Sequence, residues 1–162
     1  MSSSRTILVW GGLALALLGM LYGFYYAVYV EHQTLNQMSG SLTDGFVAVA
    51  DRNLAQAHRW FQVYGNTKYD YVRQIDAHSH WIGLAMLMIV LGAGFDRVAF
   101  PPWIRRALAV GLVLGSTLFP VAVLLETSQF GAAVGEALAT FGAALVTIAL
   151  AGVALGFARQ QY

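Results

Sequence analysis

Cysteine is absent from this 162-residue chain, and only 10% of its residues are charged. Without cysteine the chain has no disulfide bond, no thiolate metal site and no cysteine-ligated iron–sulfur cluster. It also lacks a Walker loop, a nucleophile elbow and a dinucleotide fingerprint, so nothing in it supports soluble-cofactor chemistry. The net charge of +1 gives no reason to expect a nucleic-acid partner, and we expect none.

Apolar residues are abundant instead: 58% of the chain is hydrophobic and the mean hydropathy is +0.61. A membrane-spanning helix needs roughly 20 mostly apolar residues, and the chain has room for four. The sequence therefore predicts an all-α integral membrane protein, a four-helix bundle in one membrane domain. The predicted helices cover about residues 6–32, 67–96, 103–126 and 129–158.

The only long polar stretch lies between the first two predicted helices, from Glu31 to Asp76. Apolar residues recur there at helical spacing, which predicts an amphipathic helical segment over about residues 41–64. A helix stop followed by an N-cap is predicted at Tyr64-Gly65-Asn66-Thr67. We expect this segment to lie outside the cytoplasm.

Arginines indicate the orientation of the bundle. They fall on the side that carries both chain ends and the connection between helices two and three, and they are Arg5, Arg97, Arg105, Arg106 and Arg159. By the positive-inside rule this side is cytoplasmic. We therefore expect both termini in the cytoplasm and the protein in a plasma membrane, specifically a bacterial inner membrane.

Polar residues collect where the predicted helices reach the outer face. His32 ends helix one, Asp76, His78 and His80 open helix two, and Glu126 ends helix three. Imidazole and carboxylate together suit copper, zinc or iron, so these five residues are the candidate metal ligands. A haem bound by an axial histidine ranks below a metal ion. An interfacial hydrogen-bonded cluster that closes the end of the bundle is the structural alternative.

Helical geometry restricts this site. His78 and His80 are two residues apart and point about 200° away from each other, so a regular helix cannot aim both at one metal ion. Asp76 and His80 are four apart and share a face, which makes them the better pair. Glu136, an acid inside helix four, is expected to point into the bundle and is the candidate proton carrier.

Pairs of glycines four residues apart occur in the first, third and fourth predicted helices and favour close helix packing. Such faces serve either inside the bundle or against other membrane subunits or further copies of the chain. The leading hypothesis is a small membrane subunit of a larger complex, in particular a respiratory or other bioenergetic one. The alternatives are a stand-alone metal- or haem-dependent membrane oxidoreductase and, third, a proton or ion transporter. Because no complete catalytic set is present, we do not expect the isolated chain to be an enzyme.

Overall fold

The computed structural model describes residues 2–128 and 131–159. Within this part of the chain 93% of residues are helical, there is no strand, and four helical stretches are long and apolar enough to cross a membrane. The prediction of an all-helical chain with four such helices is confirmed. The elements are α1 (Ser3–Tyr25), a π-helical turn (Tyr26–Val30), α2 (Glu31–Ala50), α3 (Leu54–Gly94), a 3-10 turn (Phe95–Arg97), α4 (Pro102–Glu126) and α5 (Ala132–Ala158).

The chain divides into two compact units, and both boundaries fall within helices. Unit 1 comprises Met1–Leu21 and Asp76–Tyr162, and unit 2 comprises Tyr22–Ile75. Unit 1 thus contains most of α1, the second part of α3, α4 and α5. Unit 2 contains the end of α1, the π-helical turn, α2 and the first part of α3.

In unit 1, glycine lets α1 approach α3 closely. A side-chain carbon at Gly12 would lie 2.9 Å from the carbonyl oxygen of Ala85, and one at Gly19 would lie 3.0 Å from the Cβ of Trp81. Contacts this short leave room only for hydrogen. The two backbones therefore pack through small residues, as helices in membranes commonly do.

The α4 and α5 helices also pack closely through glycine. A side-chain carbon at Gly115 would lie 2.9 Å from the carbonyl oxygen of Gly142, and one at Gly142 would lie 2.8 Å from the amide nitrogen of Phe119. Gly135 meets Ala122 in the same way, with 2.9 Å to its carbonyl oxygen. Several of the glycines singled out in the sequence are therefore used inside the chain, where α5 lies against α4.

The core of unit 1 consists of apolar side chains from all four helices. Leu8 of α1, Met88 of α3 and Leu112 of α4 are fully buried. Near one end, Ala77 of α3, Ala122 and Val123 of α4, and Ala139 of α5 form a buried cluster. Residues next to this cluster in α3, α4 and α5 therefore lie at the same end of unit 1.

Unit 2 contains the turn that separates α2 from α3. The chain leaves α2 through Arg52, whose φ of 58° is the left-handed conformation common at helix ends. Asn53 then caps α3: its Oδ1 accepts a hydrogen bond from the amide of Gln56 at 3.1 Å, and its Nδ2 donates to the side chain of Gln56 at 3.0 Å. The bond from the Gln56 amide to the Asn53 side chain is an N-cap, and it marks where α3 begins.

The predicted helix stop at Tyr64 to Thr67 is wrong, because α3 runs unbroken through these residues. A single glycine costs a helix only about 1 kcal/mol, and Gly65 does not adopt the left-handed conformation that ends one. The segment predicted over 41–64 is accordingly divided between α2 and α3, with its break at residues 51–53. The predicted start of the last helix, residue 129, lies outside the described residues.

Candidate functional site

One end of unit 1 carries the predicted polar residues. Asp76 directly precedes Ala77 in α3, Glu126 lies three residues beyond Val123 in α4, and Glu136 lies three residues before Ala139 in α5. Since the two alanines and Val123 belong to one buried cluster, the three carboxylates belong to the same end of the bundle. We call this the acidic end of unit 1.

Both histidines of the acidic end have one ring nitrogen engaged. The Nδ1 of His78 lies 2.9 Å from the carbonyl oxygen of Gly19, and the Nδ1 of His80 lies 2.6 Å from the carbonyl oxygen of Asp76. A carbonyl only accepts, so each Nδ1 must carry the proton. In the neutral imidazole this leaves Nε2 as a lone-pair donor, the arrangement common among histidines that bind metals.

The two imidazoles face different neighbours. His78 contacts α1 through its hydrogen bond to Gly19, whereas the ring of His80 packs edge-on against Phe119 of α4, with 4.7 Å between ring centres. Their separation follows from the two-residue spacing along α3, which turns the second ring about 200° from the first. His78 is partly buried and His80 is exposed.

The expected pairing of Asp76 with His80 takes a different form in the structure. The imidazole bonds the backbone carbonyl of Asp76, not its carboxylate. A helical residue four positions before a histidine offers its carbonyl at least as readily as its side chain, since that oxygen lies directly below the ring. The Asp76 carboxylate is partly buried.

Across residues 2–128 and 131–159, no three side chains of the ligating types come close enough together to hold a metal ion. His32, the ligand predicted from helix one, is an exposed residue at the start of α2 in unit 2. Glu126 is partly buried at the end of α4 in unit 1. The five predicted ligands therefore do not form a metal centre from this chain's own described residues.

Glu136 does not point into the bundle as expected; it is exposed. The reason is its neighbour Gly135, which makes the contact of α5 with α4 at Ala122. Successive helical residues differ by about 100° in direction, so the residue after a contact glycine is turned away from the partner helix. An acid in an otherwise apolar helix thus faces outward.

Beside Glu136, the exposed side of α5 carries a stripe of small residues. Its members alternate four and three positions apart and each is exposed: Ala133, Ala137, Thr140, Ala144, Thr147, Ala151, Ala154 and Ala158. We call this the α5 outer stripe. Large apolar residues follow it at seven-residue intervals along one side: Val134, Phe141, Ile148 and Leu155. Small residues at this spacing present a shallow groove to which another helix backbone fits.

Sequence reasoning missed the α5 outer stripe. The glycine pairs drew attention to the opposite side of the helix, and the stripe consists of alanine and threonine. Its signal is nonetheless present in the sequence as a spacing of four and three that is kept through four heptads. That regularity indicates a helix-packing face, but only the structure shows that α4 occupies the other side.

The exposed face of α1 has a different composition. Its large apolar side chains include Trp10, Leu13, Leu17, Leu21 and Phe24, with Leu17 61% exposed. Bulky aliphatic and aromatic groups are those that a bilayer accommodates best. Large apolar side chains are exposed on both helices, whereas the continuous stripe of small residues and the acid beside it belong to α5.

The opposite end of unit 1 carries the arginines. Arg5 lies 3.9 Å from the carboxylate of Asp96, which also contacts the Ser2 hydroxyl. The Nη1 of Arg105 donates to the carbonyl of Asp96 at 3.2 Å. The guanidinium of Arg159 lies over the ring of Phe100, 5.1 Å from its centre. We call this the arginine end.

Unit 2 contains a tyrosine cluster at the π-helical turn. The rings of Tyr22 and Tyr26 stack with 6.4 Å between centres, and Tyr26 is equally close to Tyr71 of α3. The hydroxyl of Tyr71 donates to Glu31 at 3.5 Å, and that of Tyr22 contacts Gln74. The π-helical turn places Tyr26 against α3, where 8% of it is exposed. No sequence rule used here detects a π-helical turn.

Comparison with known proteins gives no family for this chain: no family model, no curated protein and no solved structure matches it. The function must therefore be argued from the geometry of the two units.

Proposed function

We propose that this chain is a small integral-membrane subunit of a larger membrane complex, in particular a bioenergetic one, and that it binds a transmembrane helix of a partner subunit along the α5 outer stripe. The proposal places the arginine end in the cytoplasm and the acidic end, with unit 2, outside it. Both termini are then cytoplasmic, in a bacterial inner membrane. The bundle itself remains inserted in the bilayer.

The observation that carries the proposal is the exposed Glu136 beside the α5 outer stripe. An ionisable side chain within an apolar helix is costly when it faces lipid, and such residues usually face protein or water. Small residues pack poorly against lipid but allow another helix backbone to come close. A partner helix on this face accounts for both features at once.

The orientation rests on the contrast between the two ends of unit 1. Five arginines belong to one end, and the carboxylates of Asp76, Glu126 and Glu136 belong to the other. Membrane proteins retain basic residues on the cytoplasmic side. The acidic end is then the extracytoplasmic one.

Under this proposal, His78 and His80 each supply one ligand to a metal ion or haem that the complex holds. The Nε2 atoms of His78 and His80 face different sides of α3 and supply single ligands, not a complete site. A copper, zinc or iron ion, or a haem, would therefore be held together with ligands from a partner subunit. Reaction and electron transfer belong to the assembly, not to this chain alone.

The subunit role is proposed ahead of the transporter hypothesis. A proton path through the bundle was expected to use Glu136, and the structure turns this side chain outward. The same side chain is in position to contact a partner helix. We therefore propose a binding role for Glu136 in place of a relay.

The test is purification of the tagged chain at native abundance under mild solubilisation. We expect at least one other membrane chain to co-purify in a fixed ratio, and any metal or haem to remain with the complex. A wild-type chain that is recovered only as a monomer would contradict the proposal. If the chain is recovered only with further copies of itself, the protein is a homo-oligomer and the proposal of a different partner subunit is wrong.

A further inference from the structure

A cavity of about 330 Å³ opens at the arginine end of unit 1. It is lined by the first residues of α1 and the first residues of α4, including Ser2, Ser3, Trp103, Arg105 and Arg106. None of the described residues that line it carries a carboxylate. Two guanidinium groups, serine hydroxyl groups and an indole thus surround one open volume.

Its charge is incompletely balanced. The carboxylate of Asp96 belongs to this end, and it is already engaged by Arg5 and Ser2. Among the described residues Arg106 makes no hydrogen bond or ion pair, and the Nε of Arg105 is buried without an acceptor. The cavity therefore has donors and positive charge to spare.

Backbone amide groups add to the positive charge and the hydrogen-bond donors around the cavity. The α1 helix begins at Ser3 and α4 begins at Pro102, so both helices start at the cavity. The first amide groups of a helix have no partner within it, and the helix dipole is positive there. Amides, hydroxyls and guanidinium groups are the donors that proteins use for phosphate oxygens.

Apolar surface continues from the cavity along α4. Arg106, Val110 and Leu114 lie four residues apart on one helix face, and the two apolar side chains are exposed. Trp103, 72% exposed, lies beside the cavity mouth. Tryptophan is typical of the level at which lipid headgroups lie, and an aliphatic stripe leading away from it fits an acyl chain.

We propose that this cavity binds the phosphate of an anionic phospholipid, with Arg105 and Arg106 as its charged ligands and the Val110–Leu114 face of α4 along the acyl chain. Basic pockets between membrane helices bind anionic headgroups in this manner. The inference requires only that the chain is inserted in a bilayer. It is independent of a partner on α5, so either proposal can fail while the other stands.

The experiment compares lipids retained by the purified protein. The chain is solubilised from vesicles of equal parts phosphatidylglycerol and phosphatidylcholine, and bound lipid is identified by native mass spectrometry. We expect phosphatidylglycerol to be enriched on the wild-type protein. Arg105→Gln with Arg106→Gln should reduce the enrichment about tenfold. Because Arg105 also bonds the Asp96 carbonyl, Arg106→Gln alone provides a second variant that leaves this contact intact.

The matched control removes the same charge from the same end. Arg97→Gln with Arg159→Gln should retain the wild-type enrichment, since neither residue lines the cavity. An equal loss in both double variants, or no enrichment in the wild type, would overturn the proposal. Displacement of the lipid by inorganic phosphate alone would show a site for free phosphate and would equally overturn it. Circular dichroism in detergent confirms that each variant is folded.

Discussion

The outer faces of α1 and α5 both carry large exposed apolar side chains, but the α5 face also has an unbroken stripe of small ones. The α1 face carries Trp10, Leu13 and Leu17, whereas the α5 outer stripe carries only alanine and threonine with Glu136 beside it. Lipid chains adapt to large apolar side chains and gain little from small ones, while helix backbones require small ones. This difference supports the proposal that lipid covers α1 and a partner subunit covers α5.

The two sides of α5 extend the comparison. Its inner side has glycines at the contacts with α4, and its outer side has alanines at heptad spacing. Glycine is needed where a backbone atom lies within 3 Å of the position of a Cβ, as at Gly142. Alanine suffices where the partner is less close. One helix thus has two packing faces, and only one of them is occupied within this chain.

The largest expected effect is a loss of stability caused by a substitution on the inner side of α5. Gly142→Leu would place a side chain 2.8 Å from the Phe119 amide, so we expect α4 and α5 to separate and stability to fall by about 3 kcal/mol or more. Thermal unfolding in detergent measures the loss. Ala144→Leu, two residues further along the same helix, should unfold like the wild type. Equal destabilisation by both would remove the distinction between the two sides.

The second effect concerns assembly without loss of fold. Ala144→Leu with Ala151→Leu fills the α5 outer stripe, so we expect recovery of the partner chain to fall at least about tenfold on steric grounds. Quantitative mass spectrometry of the purified complex provides the measurement. The matched control is Ala14→Leu, which enlarges an exposed alanine on α1. If Ala14→Leu lowers recovery as much, the two outer faces are equivalent.

A smaller effect is expected from the charge beside the stripe. Glu136→Gln retains the shape and most hydrogen-bonding capacity of the side chain, so partner recovery should fall only a few-fold, as for a charge at the edge of an interface. The ratio of partner to tagged chain at increasing salt measures this. Glu126→Gln serves as the comparison, because Glu126 ends α4 and lies outside the stripe. A larger loss of partner in Glu126→Gln would show that the partner binds at the acidic end and not along the α5 outer stripe.

The smallest expected effect is on the local stability of α3 in unit 2. Asn53→Ala removes the cap of α3 and should cost about 1 kcal/mol of local stability, seen as faster hydrogen exchange in the first turn of that helix. Asn66→Ala should leave exchange unchanged or slower, because Asn66 is an exposed residue within α3. Faster exchange in Asn66→Ala would instead support the helix start predicted there.

Hydropathy alone is enough to predict four helices, because bilayer thickness sets a minimum length that few soluble sequences meet. The ends of the helices in unit 2 are harder to predict from the sequence. Gly65 with Asn66 has the composition of a helix end, but Asn53 with Gln56 forms the actual cap, and the two signals are equally strong in sequence. Which one prevails is decided by the packing of α2 against α3, including the edge-on contact of Phe46 with Phe61.

The candidate site shows the same limit. Spacing along α3 predicts that His78 and His80 point apart, because this depends on one helix alone. The direction of Glu136 depends on which side of α5 meets α4, and Gly135 and Glu136 are adjacent in sequence. The outward acid and the α5 outer stripe could therefore be assigned only after the α4–α5 contact was located.

The most direct test of the central claim uses the absence of cysteine from the chain. Ala144→Cys and Ala14→Cys each introduce a single thiol, to which a photoactivated cross-linker is attached in native membranes. We predict that the cross-linker at residue 144 joins a second, different membrane protein and that the one at residue 14 reacts with lipid. Lipid adducts alone at residue 144, or the same protein joined at both positions, would contradict the assignment of α5 as the face that binds a partner subunit.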